Sequence, residues 1–197
     1  METEVKFSPV TSAQKDALFA DPSLTPLGPT HILLMKTVYF DDPAHLFSAR
    51  HWTLRLRQEN DRFVCTFKSA AEGLHRTEAE VFAKEIDAGA SLLSRAEGLP
   101  EGAPAVLASG GFSPVCGAVF TRSVRRCAFG NCVAELSYDE GYLYNGDRRE
   151  ALSEIELELV SGTEAELEAL AQSLMKKYTV SPCTRSKQQR AMELKQA

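Results

Sequence analysis

Ionisable residues at alternate positions mark several short segments of this sequence. The chain begins METEVKF, in which Glu2, Glu4 and Lys6 alternate with neutral residues. Because side chains point to opposite faces along a β-strand, these three would share one face. The same alternation recurs in LRLR (54–57), RFVCTFK (62–68), RTEAEVF (76–82), VAELSYD (133–139) and EIELEL (154–159). Each segment therefore predicts a strand with one apolar and one ionic face.

The charges on these ionic faces are sorted by sign from one strand to the next. The cations of one hairpin are Arg55, Arg57 and Lys68, and an acidic row comprises Glu154, Glu156 and Glu158. Exposure of the ionic face to water, common in antiparallel sheets, is the alternative for any single strand. Like charges in a row repel, which favours an interior lumen that carries both signs. Grouped carboxylates hold hard divalent cations, and grouped Arg and Lys hold phosphate oxygens, so such a lumen suits a metal-bound polyphosphate.

The elements that would position these side chains are mostly strands joined by hairpins. Beyond the first segment, strands are predicted over 31–41, 51–57, 62–68, 76–82, 118–128, 132–139, 142–144 and 154–160, with turns that include Gly130-Asn131 and Glu140-Gly141. Helices are predicted over 13–20, from 82 to about 96, and from the capping box of Thr163 and Glu166 to about 178. A Gly- and Pro-rich connector covers 99–114. The pattern predicts an α+β fold of about eight strands, in which a dominant antiparallel sheet closes into a barrel, with helices packed outside and a C-terminal helix.

Composition limits the classes of function. The chain has 197 residues, 44% hydrophobic and 25% charged, which is enough for a single domain over 1–197. A net charge of −5 argues against nucleic acid and anionic membrane as partners. Five cysteines without a CxxC pair predict reduced, packed thiols, and the N-terminus lacks the pattern of a signal peptide. We therefore expect a cytoplasmic protein that is a monomer or a homodimer.

The ordered motifs resemble those of the CYTH superfamily, also called triphosphate tunnel metalloenzymes. ETEVK is similar to the ExExK signature of that family, and LRLR followed by TFK is similar to its paired-arginine strand and returning lysine. VYFDDP, GLHRTEAEV, AELSYDEG, SEIELELVSG and RSKQQRA have counterparts in the same order, so that the resemblance runs from Glu2 to Ala191. It is strongest to the bacterial inorganic triphosphatases. The resemblance implies an eight-stranded tunnel and hydrolysis of a triphosphate with Mg²⁺ or Mn²⁺.

The resemblance also implies roles for individual residues. Metal-side carboxylates would be Glu2, Glu4, Glu154 and Glu156, and the catalytic set would be Glu2, Glu4, Lys6 and Lys68. Phosphate-side cations would be Arg55, Arg57, Lys68, Arg76, Arg122 and Lys187. Further tunnel acids would be Glu78, Glu80, Glu135, Asp139 and Glu158.

One strand departs from the family pattern. Relatives often carry a second basic residue where this chain has Val124. Strand alternation would place Arg126 on the face of Arg122, so Arg126 joins the predicted phosphate contacts, whereas Arg125 would face outward. In the C-terminal segment Arg185, Arg190 and Lys195 are expected on a solvated helix face.

We expect the enzyme to cleave inorganic triphosphate (tripolyphosphate), a small-molecule partner, to pyrophosphate and phosphate. Two alternatives keep the fold, namely a thiamine triphosphatase or a class IV-type adenylyl cyclase. A third alternative is a polyphosphate- or nucleotide-binding module without catalysis. Binding an anion alone would not require the four metal-side carboxylates, which favours the enzyme.

Overall fold

An antiparallel sheet dominates the computed structural model, which describes residues 3–70 and 77–194. Its strands are β1 (Glu4–Phe7), β2 (Thr25–Pro26), β3 (His31–Asp41), β4 (Thr53–Glu59), β5 (Arg62–Lys68), β6 (Glu78–Phe82), β7 (Ser113–Phe129), β8 (Cys132–Asn145) and β9 (Arg148–Ser161). Eight of them follow the order β1-β9-β8-β7-β3-β4-β5-β6, and the two-residue β2 pairs with β7. The predicted α+β class and its dominant antiparallel sheet are confirmed.

Six helices accompany the sheet in the described part of the chain. They are α1 (Ser12–Phe19), α2 (Leu46–Ala49), α3 (Ile86–Leu93), α4 (Ala103–Ser109), α5 (Glu164–Tyr178) and α6 (Lys187–Glu193). Thr163 accepts a hydrogen bond from the Glu166 backbone N–H at the start of α5, as its sequence predicts. The first turn of α6 begins with a capping box of Ser186 and Gln189. No helix among the described residues has the length and apolar character needed to cross a membrane.

The apolar strand faces point outward and are covered by helices, as the alternation predicts. Leu167, Leu170 and Leu174 on α5 are buried against apolar side chains of β8, β9 and β1. At the other end of the strand order, α3 and α4 cover the outward side chains Leu54 and Phe67. The ionic strand faces are thereby left to the concave interior.

Closure of the barrel is the point at which the sheet differs from the prediction. β1 and β6 lie at the two ends of the strand order, and no pairing joins them within the described residues. The two strands have four and five residues, and each pairs with one neighbour. Within the described residues, the sheet is therefore open between these two strands.

The predicted turn at Glu140-Gly141 is wrong, because β8 runs unbroken through both residues. Gly141 pairs with Phe120 on β7 and with Leu152 on β9. A Cβ atom on Gly141 would lie 2.2 Å from the Val119 carbonyl oxygen. The glycine therefore permits close approach of two backbones inside the sheet and does not mark a chain reversal.

Four of the five cysteines are packing residues in this fold. All five are free, and four of them are buried. Burial raises the pKa of Cys65 to about 12, and it raises the pKa of Cys116 to about 12 as well. Thiols that are protonated at neutral pH do not act as nucleophiles.

A buried carboxylate ties the loop after α1 to the end of α5. Asp21 is 4% exposed and accepts hydrogen bonds from Lys177 Nζ at 2.8 Å, Tyr178 Oη at 2.5 Å and the Ser23 backbone N–H at 2.8 Å. Although burial alone would raise the Asp21 pKa, these hydrogen bonds hold it well below its usual range. Asp21 therefore stabilises the folded state while it is ionised.

Asp21→Asn should lower the free energy of unfolding by about 1–2 kcal/mol at neutral pH, because buried donors lose a charged acceptor. A lowered folded-state pKa gives stability that is fully present above the unfolded-state value near 3.8 and is lost progressively as the pH falls from there through the folded-state pKa. Urea unfolding at neutral and acidic pH should show the variant and the wild type converging in acid. The surface change Asp16→Asn is the control, and an equal loss there would contradict the role of Asp21.

Candidate active site

A charged cavity of about 520 Å³ lies on the concave side of the sheet. All eight strands of the main order supply side chains to it, together with the first turn of α6. The predicted site residues that line it are Glu4, Lys6, Arg55, Arg57, Lys68, Glu78, Glu80, Arg122, Glu135, Glu156, Glu158 and Lys187. The structure therefore brings both signs of charge together in one cavity.

Strand register builds the acidic wall from β1, β9 and β8. Glu4 pairs with Glu158, Glu158 pairs with Glu135, and Lys6 pairs with Glu156. We call Glu4, Glu135 and Glu158 the outer carboxylate group. Lys6 Nζ lies 2.7 Å from Glu4 Oε1. Burial lowers the Lys6 pKa, but the carboxylates of Glu156 and Glu4 outweigh that effect and raise it overall.

A second set of carboxylates lies deeper, next to α6. We call Asp139, Glu154 and Glu156 the inner carboxylate cluster, because oxygens of all three lie within 4.8 Å of one another. Such a cluster could hold a metal ion. Here Lys187 Nζ lies 2.8, 2.5 and 2.8 Å from Asp139, Glu154 and Glu156, respectively. Burial lowers the pKa of Lys187, but the three carboxylates outweigh it and raise that pKa well above its usual value.

Two arginines complete the charge balance of the inner carboxylate cluster. Arg122 donates two hydrogen bonds of 2.7 Å to Asp139 and one of 2.5 Å to Glu156. Arg190 donates from Nη2 to Glu154 and is only 7% exposed. The expectation that Arg190 lies on a solvated helix face is wrong, because α6 turns it toward Glu154. The exposed pair of Arg185 with Glu193 agrees with that expectation, and Lys195 lies outside the described residues.

The wall formed by β4 and β5 carries the cations. Arg55 is 8% exposed, lies 3.7 Å from Glu78 and 3.5 Å from Glu80, and has no hydrogen-bond partner for Nε in the described structure. The pKa of Arg57 is lowered to about 10 by burial and by the nearby charges of Arg55 and Arg122. Burial and neighbouring like charges thus disfavour the charged form of Arg57, and an anionic ligand beside it would offset that cost.

Apolar surface is a minor part of the cavity. Leu33, Met35 and Tyr39, all on β3, are the apolar and aromatic side chains among its described lining residues. They lie between the Arg122 strand and the Arg57 strand, because β3 pairs with both β7 and β4. The remaining lining side chains are polar or charged. The cavity thus matches a strongly charged ligand.

The described lining of the cavity does not include all of the predicted residues. Glu2 and Arg76 fall outside the described residues. Asp139 and Glu154 are fully buried behind the cavity wall and are not part of its lining. Arg126 shares the strand face of Arg122 by alternation, but it is exposed and does not line the cavity.

Arg125 points to the outer side of the sheet. It donates a hydrogen bond to the Phe19 carbonyl oxygen and its guanidinium lies 5.1 Å from the centre of the Phe19 ring. This contact joins β7 to the end of α1. The outward orientation that alternation predicts for Arg125 is therefore the one observed.

Some residues of this region are not among the predicted site residues. Glu59 lines the cavity and lies 3.6 Å from Arg57, and it continues the alternation of Arg55 and Arg57, so the same pattern could have revealed it. Arg190 is three residues after Lys187, a spacing that shares one helix face. Gln188 also lines the cavity, but nothing in the sequence marked it.

Comparisons with known proteins agree with this geometry. A family model described as the CYTH domain matches residues 1–191. A curated inorganic triphosphatase of Haemophilus influenzae is 30% identical over 143 residues, which cover 68% of this chain and 38% of that protein. The chain therefore spans well under half the length of this relative.

Solved structures share the fold. HpAC1 of Hippeastrum, provisionally classed as an adenylyl cyclase and reported with a dominant triphosphatase activity, superposes with a TM-score of 0.69 at 23% identity, covering 100% of this chain and 98% of that one. The PH1819 protein of Pyrococcus horikoshii OT3 gives a TM-score of 0.61 at 21% identity, covering 98% and 99%. At such identities the likeness concerns the fold alone.

Proposed function

The chain belongs to the CYTH domain family, and on that premise we propose that it is a metal-dependent enzyme that hydrolyses inorganic triphosphate to pyrophosphate and phosphate. The observation that carries the proposal is that one cavity brings the carboxylates of Glu4, Glu156 and Glu158 together with the cations of β4 and β5. The proposal treats residues 1–197 as one functional unit, because eight strands supply the same cavity. The triphosphatase activity of the Haemophilus influenzae relative is consistent with it.

The cationic wall would bind the phosphates. Arg55 and Arg57 present guanidinium groups to the cavity, and an arginine can hold two phosphate oxygens at once. Lys68 on the neighbouring strand adds an ammonium, 3.0 Å from Glu78. Arg122 and Lys187 face these groups from the other side. A chain of three phosphates would thus be held along its length.

The acidic wall has donors that fit a hard divalent cation. Glu4, Glu156 and Glu158 line the cavity with carboxylate oxygens, the ligand type that Mg²⁺ and Mn²⁺ prefer. Glu154 contacts Arg190 and does not line the cavity. We therefore propose Glu158, and not Glu154, as the third metal ligand beside Glu4 and Glu156. A bound ion would neutralise phosphate charge and activate water.

The residues of this chain would also organise the site before substrate arrives. Lys6 offsets the charge of Glu4 and Glu156. Glu78 and Glu80 approach Arg55 from β6 and restrict where its guanidinium can point. Groups that are already oriented toward the developing charge usually supply the largest share of catalysis.

An organic triphosphate is less well matched to this cavity. Thiamine or adenine would need an apolar or aromatic surface, and the described lining offers Leu33, Met35 and Tyr39 on one strand. Inorganic triphosphate needs none. We therefore place thiamine triphosphatase and adenylyl cyclase activities second.

A substrate panel tests the proposal. Purified protein with Mg²⁺ or Mn²⁺ should release phosphate from tripolyphosphate at least about tenfold faster than from thiamine triphosphate or ATP, because each organic group must be placed among charges. EDTA should stop the reaction. Undiminished turnover in EDTA would rule out metal dependence, and faster turnover of an organic triphosphate would overturn the substrate. Tight tripolyphosphate binding without phosphate release under either metal would indicate a binding module.

A further inference from the structure

α6 lies across one end of the cavity and is tied to strands on both sides of it. Its first turn lines the cavity through Ser186, Lys187 and Gln188. Thr53 on β4 donates a hydrogen bond to the Gln188 side chain. On the opposite side, Arg190 donates from Nη1 to Ser8 Oγ at 3.2 Å and from Nη2 to Glu154. The position of α6 therefore depends on contacts that Arg190 makes outside the cavity.

The inner carboxylate cluster is balanced by three cations of the protein. The carboxylates of Asp139, Glu154 and Glu156 face the charges of Lys187, Arg122 and Arg190. Lys187 and Arg122 line the cavity, whereas Arg190 does not. Lys187 and Arg122, which can reach a substrate in the cavity, therefore share these carboxylates with Arg190, which cannot.

Glu154 divides its two oxygens between a cavity residue and the buried arginine. Oε1 lies 2.5 Å from Lys187 Nζ, and Oε2 accepts from Arg190. Without Arg190, the Glu154 carboxylate would depend on Lys187 for its charge compensation. The negative charge of Glu154 would then offset the positive charge of Lys187 and weaken the binding of an anion beside that lysine.

We propose that Arg190 is a positioning residue, which neutralises Glu154 and fixes α6 so that Lys187 and Arg122 keep their positive charge available to the substrate phosphates. This role rests on the proposed triphosphatase function. Arg190 touches no substrate itself. Its effect should appear in the affinity for the polyanion, in the absence of metal as well as in its presence.

Four variants separate charge balance from a purely structural effect. Arg190→Met should weaken binding of tripolyphosphate to the metal-free protein about tenfold, because a buried carboxylate loses its partner next to the anion. Glu154→Gln should leave that affinity equal to the wild type or tighter. The double variant Arg190→Met with Glu154→Gln should return to within about threefold of the wild type, since both charges are removed together. Arg185→Met, an exposed arginine on the same segment, is the control and should change nothing.

Calorimetry measures these affinities, steady-state kinetics measures KM and kcat, and thermal unfolding measures stability. The expected change from Arg190→Met is a higher KM with a smaller change in kcat. Equal weakening in the single and double variants would show that Arg190 only holds the fold, and unchanged affinity in Arg190→Met would equally overturn the proposal. Should Arg190→Met fail to fold, a loss of affinity in Glu154→Gln would overturn it.

The proposed function has a separate readout. Phosphate release by the wild type tests catalysis, whereas the affinity pattern among the variants requires no turnover. A wild type that binds tripolyphosphate but does not cleave it would refute the enzyme and leave the role of Arg190 in polyanion binding to be decided by the variants. A wild type that cleaves with all variants equal in affinity would refute the role of Arg190 alone.

Discussion

Glu4→Gln should reduce turnover of tripolyphosphate by roughly a thousandfold while leaving the fold intact. Glu4 lines the cavity, its side chain is 13% exposed, and it faces Glu158 across the β1–β9 pair. Glutamine keeps the shape and can still accept a hydrogen bond from Lys6, but it lacks the charge that holds a divalent cation. Loss of about 4 kcal/mol of transition-state stabilisation, typical of a weakened metal site, corresponds to that factor.

The matched control for this variant is Glu140→Gln, the same substitution at an exposed position on β8 outside the cavity. It should retain full activity. Initial rates over a range of Mn²⁺ concentrations should show that Glu4→Gln needs more metal, and thermal unfolding should match the wild type. Wild-type turnover in Glu4→Gln, or a loss of activity that follows a loss of stability, would remove Glu4 from the proposed metal side.

Strand alternation was the strongest signal in the sequence, because it depends only on the geometry of a single strand. Together with the expectation that helices cover the apolar faces, alternation predicts that Glu156 and Arg57 lie on the same side of the sheet, although 98 residues lie between them. It also distinguished Arg125, which packs against Phe19, from Arg122, which lines the cavity. Apolar residues on the alternate positions then had to lie under helices, which is where the structure has them.

Alternation shows which face of a strand a side chain is on, but not whether that side chain lines the cavity or is buried behind it. This limits the prediction of the site. Glu154, Glu156 and Glu158 are equivalent in the sequence pattern, yet Glu154 is fully buried behind the wall while Glu158 lines the cavity. The difference arises from α6, whose Arg190 meets Glu154. How a short helix crosses the end of a sheet depends on contacts between distant segments, such as Arg190 with Ser8, that no local pattern reports.

The predictions of a closed barrel and of a turn at Glu140-Gly141 differ from the structure for related reasons. A glycine after a glutamate is typical of a turn, but Gly141 serves a close backbone approach that depends on Phe120 in another strand. Whether β1 meets β6 depends on the total curvature of eight strands. Both properties are set by tertiary contacts, so local propensity could not decide them.

Arg57→Met should lower kcat/KM for tripolyphosphate by about a hundredfold or more, because a cavity guanidinium that holds phosphate oxygens is lost. Arg57→Lys should recover only part of that loss, since an ammonium restores the charge but not the paired donors. The exposed Arg62, which lies over the Phe82 ring on the next strand, provides the control variant Arg62→Met. That control should keep wild-type kinetics.

Stability should respond to Arg57→Met in the opposite direction from activity. Burial and the charges of Arg55 and Arg122 lower the Arg57 pKa to about 10, so folding disfavours its charged form. Removing that charge should leave the free energy of unfolding at neutral pH unchanged or raise it, which is the usual relation where a site holds like charges for a ligand. Urea unfolding beside steady-state kinetics would measure both. A variant that loses stability and activity together would show that Arg57 stabilises the fold and is not held in the cavity to bind an anion.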